Sequence, residues 1–73
     1  MKNITLFTAP WCGECLSIKS YMEASETTGI EVINVDLEPR KAQEAGIRNL
    51  PVLIVEGVKV IGASKIIDVL KTL

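Results

Sequence analysis

The sequence predicts an α/β fold: a four-stranded mixed sheet covered by three helices, in the order β-α-β-α-β-β-α. Three observations carry this. Short Val/Ile-rich runs recur along the chain, helical patterns separate the first three of them, and a Glu-Gly pair joins the last two. Strands linked through a helix run parallel with a right-handed crossover, whereas a two-residue link makes an antiparallel hairpin. Runs that are almost wholly apolar are those of strands buried on both faces, so helices are expected on both sides of the sheet. At 73 residues the chain has room for one domain, 1–73. A chain this short buries only about 60% of its unfolded surface.

Each element has its own signature. ITLFTA, Ile4 to Ala9, is β-branched and apolar and reads as the first strand, ended by Pro10. A helical pattern follows from Cys12 to about Glu26, with Cys15, Ile18, Lys19 and Met22 at helical spacing, and Thr27-Thr28-Gly29 should stop it. EVINV, Glu31 to Val35, is the second strand. A short helix comes next, opened by Asp36 or Glu38, begun at Pro39 and stopped by Gly46. Val52 to Val55 and Val58 to Ile61 flank Glu56-Gly57 as a tight hairpin. Gly62 breaks the last strand, and Ser64 can cap a final helix with Ile66, Ile67, Leu70 and Leu73 on one face.

Composition narrows the function. Apolar residues make up 48% of the chain, enough for an ordered core. Eight basic and nine acidic residues leave a net charge of -1, with no like-charged run longer than Arg40-Lys41. Neither a nucleic-acid partner nor a membrane surface is indicated. No apolar stretch approaches the ~20 residues of a membrane span. The N-terminus lacks the h-region and cleavage site of an export signal and reads as the first strand of a mature protein. Two cysteines are too few for a secreted disulfide scaffold, so a reducing cytoplasm is the expected home, with the protein a monomer.

Those two cysteines lie in TAPWCGECLS, Thr8 to Ser17. Three apart at a helix start, Cys12 and Cys15 should have Cα atoms roughly 5–6 Å apart, within disulfide range. As a structural staple the pair would be poor, because so short a loop removes little freedom from the unfolded chain. A zinc or iron–sulfur site needs about four ligands, and this chain has two cysteines and no histidine. No metal or cofactor is therefore expected. Reversible dithiol–disulfide exchange uses both positions. The free N–H groups and positive dipole of the helix start stabilise a Cys12 thiolate, drawing its pKa below the free value of about 8.5. Cys15, one turn in and facing inward, would be shielded. Cys12 then attacks a substrate disulfide, and Cys15 attacks Cys12 to release the reduced substrate. Gly13 admits a partner backbone. Trp11 offers a flat apolar contact, or simply covers the core.

At these residues the chain resembles the thioredoxin family. TAPWCGECLSIK is similar to the segment in which W-C-G-P-C opens a helix after a strand. AGIRNLPVLIV, Ala45 to Val55, is similar to the run that ends in Ile-Pro-Thr and a buried strand, and GASKIIDVLKTL to the closing Gly-Ala and last helix. The match covers nearly the whole chain once the family's extra N-terminal strand and helix are set aside, which implies a minimal thioredoxin-like fold. The resemblance implies a thiol–disulfide oxidoreductase that reduces protein disulfides. It also implies a cis peptide bond before Pro51, a step that costs only about 0.5–1 kcal/mol before proline. A trans proline opening a strand is the alternative. In the family the residue before this proline, here Leu50, pairs through its backbone with an extended substrate, a strand-addition mode; a leucine there can equally be core.

Two positions depart from the family pattern. Leu6 stands where thioredoxins usually carry a buried Asp, six residues before the first cysteine, so Cys15 must lose its proton to water or to a substrate group. Glu14 stands in place of proline, and its charge opposes a thiolate at Cys12. The short chain also resembles glutaredoxins, including the thioredoxin-like ones that serve ribonucleotide reductase. Those that use glutathione carry a Lys three before the first cysteine, a Thr-Val-Pro loop and a Gly-Gly with a nearby Asp. Here those places hold Ala9, Asn49-Leu50-Pro51 and Gly62-Ala63-Ser64. The expectation is a dithiol donor recharged by a flavin-dependent thioredoxin reductase. A glutathione-dependent protein is the alternative, and a non-catalytic binding module with an apolar patch of Trp11, Leu50 and Pro51 is the rival from another class.

Overall fold

Neighbouring residues of the first strand serve two different cores, and the whole layering follows from that alternation. In the computed structural model, which describes residues 4–72, β1 spans Ile4–Thr8. The elements that follow are α1 (Gly13–Ala24), β2 (Glu31–Asn34), α2 (Pro39–Glu44), β3 (Val52–Val55), β4 (Val58–Ile61) and α3 (Ala63–Lys71). Leu6 and Leu53 pack with Ile18 of α1 and with Ile66 and Leu70 of α3 on one face of the sheet. Phe7 and Ile33 pack with Ala42 of α2 on the other. Each fully buried Leu or Ile contributes about 1.5–3 kcal/mol.

The sheet order is β2-β1-β3-β4, with β1 parallel to β2 and antiparallel to β3, and β3 antiparallel to β4. This is the mixed sheet and element order expected from the sequence. Central β1 and β3 are buried on both faces, but the flanking strands are not. Val32, Val58 and Ile61 are exposed, because edge strands extend past the cover that the three short helices supply. The apolar runs therefore misstate the burial of β2 and β4.

Element ends differ from expectation for local reasons. Helix α1 closes at Ala24 instead of running to the Thr-Thr-Gly stop. Glu26 takes φ 53°, and the N–H groups of Glu26 and Thr27 bond the carbonyls of Glu23 and Met22. That is a Schellman closure. Neither Asp36 nor Glu38 caps α2 with its side chain. The Asp36 N–H bonds the Asn34 side chain at 2.9 Å, and Glu38 is the cap residue without a side-chain bond. Lys41 ties α2 to β2 through a surface ion pair with Glu31 at 3.7 Å and pairs with Glu38 at the cap of its own helix at 3.2 Å. Ser64 does not cap α3. The chain passes from β4 straight through Gly62, at φ 100°, so Ser64 falls inside the first turn. Ile66 and Leu70 face the core as expected, and Leu73 lies outside the described residues.

Candidate redox site

A tight turn after β1 aims the first cysteine. The Cys12 N–H bonds the Ala9 carbonyl at 3.1 Å, and Cys12 itself is extended, at φ -90° and ψ 109°. It is thus the N-cap of α1, a position usually held by an oxygen-bearing side chain. Sulfur takes that role here: Cys12 Sγ accepts the Cys15 N–H at 3.2 Å. A helix has unpaired N–H groups and a partial positive charge at this end. The first sulfur sits among them.

Cys15 lies one turn along. The two cysteines form a disulfide with Cα atoms 5.3 Å apart, inside the 5–6 Å expected. Cys15 is fully buried, whereas Cys12 keeps 8% exposure. With Ala9 they form a small apolar cluster against which Val35 and Leu50 pack. Leu50 precedes Pro51 through a cis peptide bond, as the resemblance implied. Pro51 is fully buried, and its carbonyl accepts the Gly62 N–H at 3.4 Å. Four of the residues singled out by sequence, Cys12, Cys15, Leu50 and Pro51, therefore meet at one end of the sheet.

The others lie on the surface around them. Trp11 is 69% exposed, so it does not cover the core. Its indole N–H donates to both carboxylate oxygens of Asp36, at 3.2 and 3.1 Å. Beside it runs a groove of about 470 Å³ lined by Trp11, Val35, Ala42, Ile47 and Leu50 together with the polar Gln43, Arg48 and Asn49. Gly13 is exposed, and nothing lies within 4 Å of where a Cβ would stand, so the approach over it is open. Glu14 is exposed in the first turn of α1.

Leu6 is fully buried among the aliphatic side chains of the core shared with α1 and α3, so that position brings no carboxylate. Ala9 is likewise buried, Asn49 is exposed and uncharged, and Gly62-Ala63 bring no charge. Among the described residues no cluster of three or more His, Cys, Asp or Glu could hold a metal ion, and no helix is long and apolar enough to cross a membrane.

Sequence reasoning missed one neighbour of the site and one buried polar group. Asp36, one of the two residues expected to open α2, instead holds Trp11 from 25 residues away. No local pattern shows such a pairing. Thr8 drew no attention as the penultimate residue of an apolar strand, yet its buried hydroxyl has no hydrogen-bond partner among the described residues. A polar residue closing an otherwise apolar central strand was the available signal.

Comparison with known proteins agrees with the fold. The family model for thioredoxin matches residues 2–69. The chain is 38% identical over 67 residues to a thioredoxin of Methanocaldococcus jannaschii, covering 84% of this chain and 79% of that protein. It is 39% identical over 61 residues to thioredoxin 2 of Chlorobaculum tepidum, covering 75% of this chain and 56% of that one. Among solved structures, the thioredoxin of Malassezia sympodialis superposes with a TM-score of 0.78 at 30% identity, covering 97% of this chain and 73% of its own.

Proposed function

The chain belongs to the thioredoxin family and is a thiol–disulfide oxidoreductase, and from that premise we propose that it is a dithiol donor with Cys12 as nucleophile and Cys15 as resolving thiol. The observation that carries the assignment is the asymmetry of the pair: Cys12 caps the helix and touches solvent, while Cys15 is fully buried one turn in. Only the outer sulfur can meet a substrate disulfide. After reduction, the helix N-terminus favours its thiolate. The inner sulfur can reach only its neighbour, which is what resolution of a mixed disulfide requires.

Substrates are disulfide-bearing proteins. An extended segment would lie against the Leu50-Pro51 turn and pair with its backbone, over the open surface of Gly13 and beside Trp11. The largely apolar groove next to Leu50 would take a substrate side chain. Electrons come from a flavin-dependent thioredoxin reductase rather than from glutathione. Supporting this, Ala9, Asn49 and Gly62-Ala63 supply no charge for the glutathione carboxylates. A reducing compartment such as the cytoplasm suits a donor of this kind.

Reduction of insulin disulfides tests the reading. Turnover is expected with NADPH and thioredoxin reductase, far above that with NADPH, glutathione and its reductase. Cys12→Ser should abolish it. Equal turnover from glutathione would reject the proposed electron source, and activity surviving in Cys12→Ser would reject the nucleophile.

A further inference from the structure

We propose that Arg48 is a specificity-determining residue, which selects protein disulfides flanked by an apolar residue and then an acidic one. The inference rests on the reading above, in which Cys12 attacks and a substrate segment lies along the Leu50-Pro51 turn. Leu50 packs on the cluster of Ala9, Cys12 and Cys15, and it also lines the groove of about 470 Å³. The groove therefore opens directly beside the disulfide. Trp11 is another of its walls, held in place by two hydrogen bonds to Asp36. Apolar surface of this kind favours an apolar occupant, which leaves water as it enters.

Charge narrows the choice of occupant further. Among the described residues, Arg48 is the only charged one that lines the groove, and neither Asp36 nor Glu14 belongs to that lining. Arg48 is exposed. Other cations of the chain are engaged in the fold: Lys41 pairs with Glu31 and Glu38, and Lys59 reaches the Gly46 carbonyl at 3.5 Å. Arg48 makes no ion pair among the described residues, where both such pairs belong to Lys41. Its charge is thus left to face whatever enters the groove.

The chain also limits how far that charge is from the substrate. Two residues span at most about 7 Å, so the Cα of Arg48 lies within that distance of Leu50, the residue against which a substrate backbone pairs. Alternate residues of an extended substrate are themselves about 6.6–6.8 Å apart. A side chain one or two places from the paired residue therefore comes within reach of the guanidinium, whose planar fork matches a carboxylate. A charge at the rim of a contact acts mainly on the rate of encounter and on the choice of partner. Glutathione offers carboxylates too, but it has no apolar side chain to fill the groove.

The test mixes reduced protein, in excess, with cysteine peptides activated as pyridyl disulfides, in a stopped-flow instrument. Attack by Cys12 on the peptide sulfur expels pyridine-2-thione, whose absorbance gives the rate. The peptides carry Leu on both sides of the cysteine and then Glu, Gln or Lys beyond each Leu; the same derivative of glutathione is a further substrate. Comparing the Glu-to-Lys rate ratio between proteins cancels the peptides' own reactivity. Arg48→Gln should lower that ratio about fourfold, since each solvated charge contact is worth about twofold, and Arg48→Glu about fifteenfold. Arg48→Lys should preserve it, and the Gln peptide should react alike with all of them. Arg40→Gln, which removes an exposed charge outside the groove, should leave the ratio unchanged. The glutathione derivative should react no faster than the Gln peptide. An unchanged ratio in Arg48→Glu, an equal fall in Arg40→Gln, or a glutathione derivative that outpaces the Glu peptide would each overturn selection by Arg48. Absence of thione release by the wild type, or its survival undiminished in Cys12→Ser, would instead overturn the assignment of Cys12.

Discussion

The chemistry of the site is set by which charges and dipoles surround Cys12 Sγ. Cys15 N–H already points at it from 3.2 Å, and the helix end adds its partial positive charge. Against this stands Glu14, exposed in the same first turn. A like charge disfavours ionisation of its neighbour, weakly when both are solvated. Glu14→Pro, which restores the residue usual in the family, should therefore lower the Cys12 pKa of the reduced protein, by up to about one unit. Proline suits this place because the second position of a helix makes no intrahelical bond through its N–H. Thiol titration by ultraviolet absorbance compares the two, and an equal or higher value in the variant would show that Glu14 is electrostatically silent. Trp11 shows how one residue's role can hide from sequence. Its position beside Cys12 was plain, but its hold on Asp36 depends on β2 pairing parallel to β1, which brings residue 36 to the same end of the sheet.

Individual elements show where sequence patterns suffice and where they fall short. The Glu56-Gly57 hairpin was legible from its glycine between two aliphatic runs, and both residues take positive φ, 49° and 84°, as a two-residue turn of this kind requires. The strands of the central pair were legible from their aliphatic runs. Edge burial was not, since Val32 and Val58 are chemically the same as Val52 and differ only in what covers them. Helix ends were read from stop residues, yet the end of α1 was decided by backbone hydrogen bonds around Glu26. That closure places a non-glycine residue at φ 53°, where an L-residue is disfavoured by about 1–2 kcal/mol. Glu26 is exposed, and neither of its hydrogen-bonded neighbours needs its side chain. Glu26→Gly should thus stabilise the protein by about 0.5–1 kcal/mol, some of the gain being returned through the freer unfolded chain. Urea unfolding measures it, and a loss of stability would mean that the Glu26 side chain supports the turn.

At the scale of the whole molecule, the direction of electron flow is a question of stability. The 73-residue chain folds around two modest cores, and its disulfide spans only Cys12 to Cys15. Closing a loop of about four residues removes unfolded-state entropy worth about 2 kcal/mol at 25 °C, against about 3 for a fifteen-residue loop. The folded chain already brings the two Cα atoms to 5.3 Å, so oxidation after folding avoids most of that loss. Opposing this, the helix end stabilises the Cys12 thiolate of the reduced form, by about 0.3–1 kcal/mol for a charge at such a position. The loop term is the larger. The oxidised protein should therefore be more stable than the reduced one by about 1–2 kcal/mol, which lowers the potential of the pair by about 20–40 mV relative to the unfolded chain. A lower potential makes the dithiol a better donor, as the proposed function requires. Equilibrium unfolding in urea at pH 7, run with and without reductant, gives both stabilities. If the reduced form proved the more stable, folding would favour the dithiol, the pair would act as an oxidant, and the donor reading would fail.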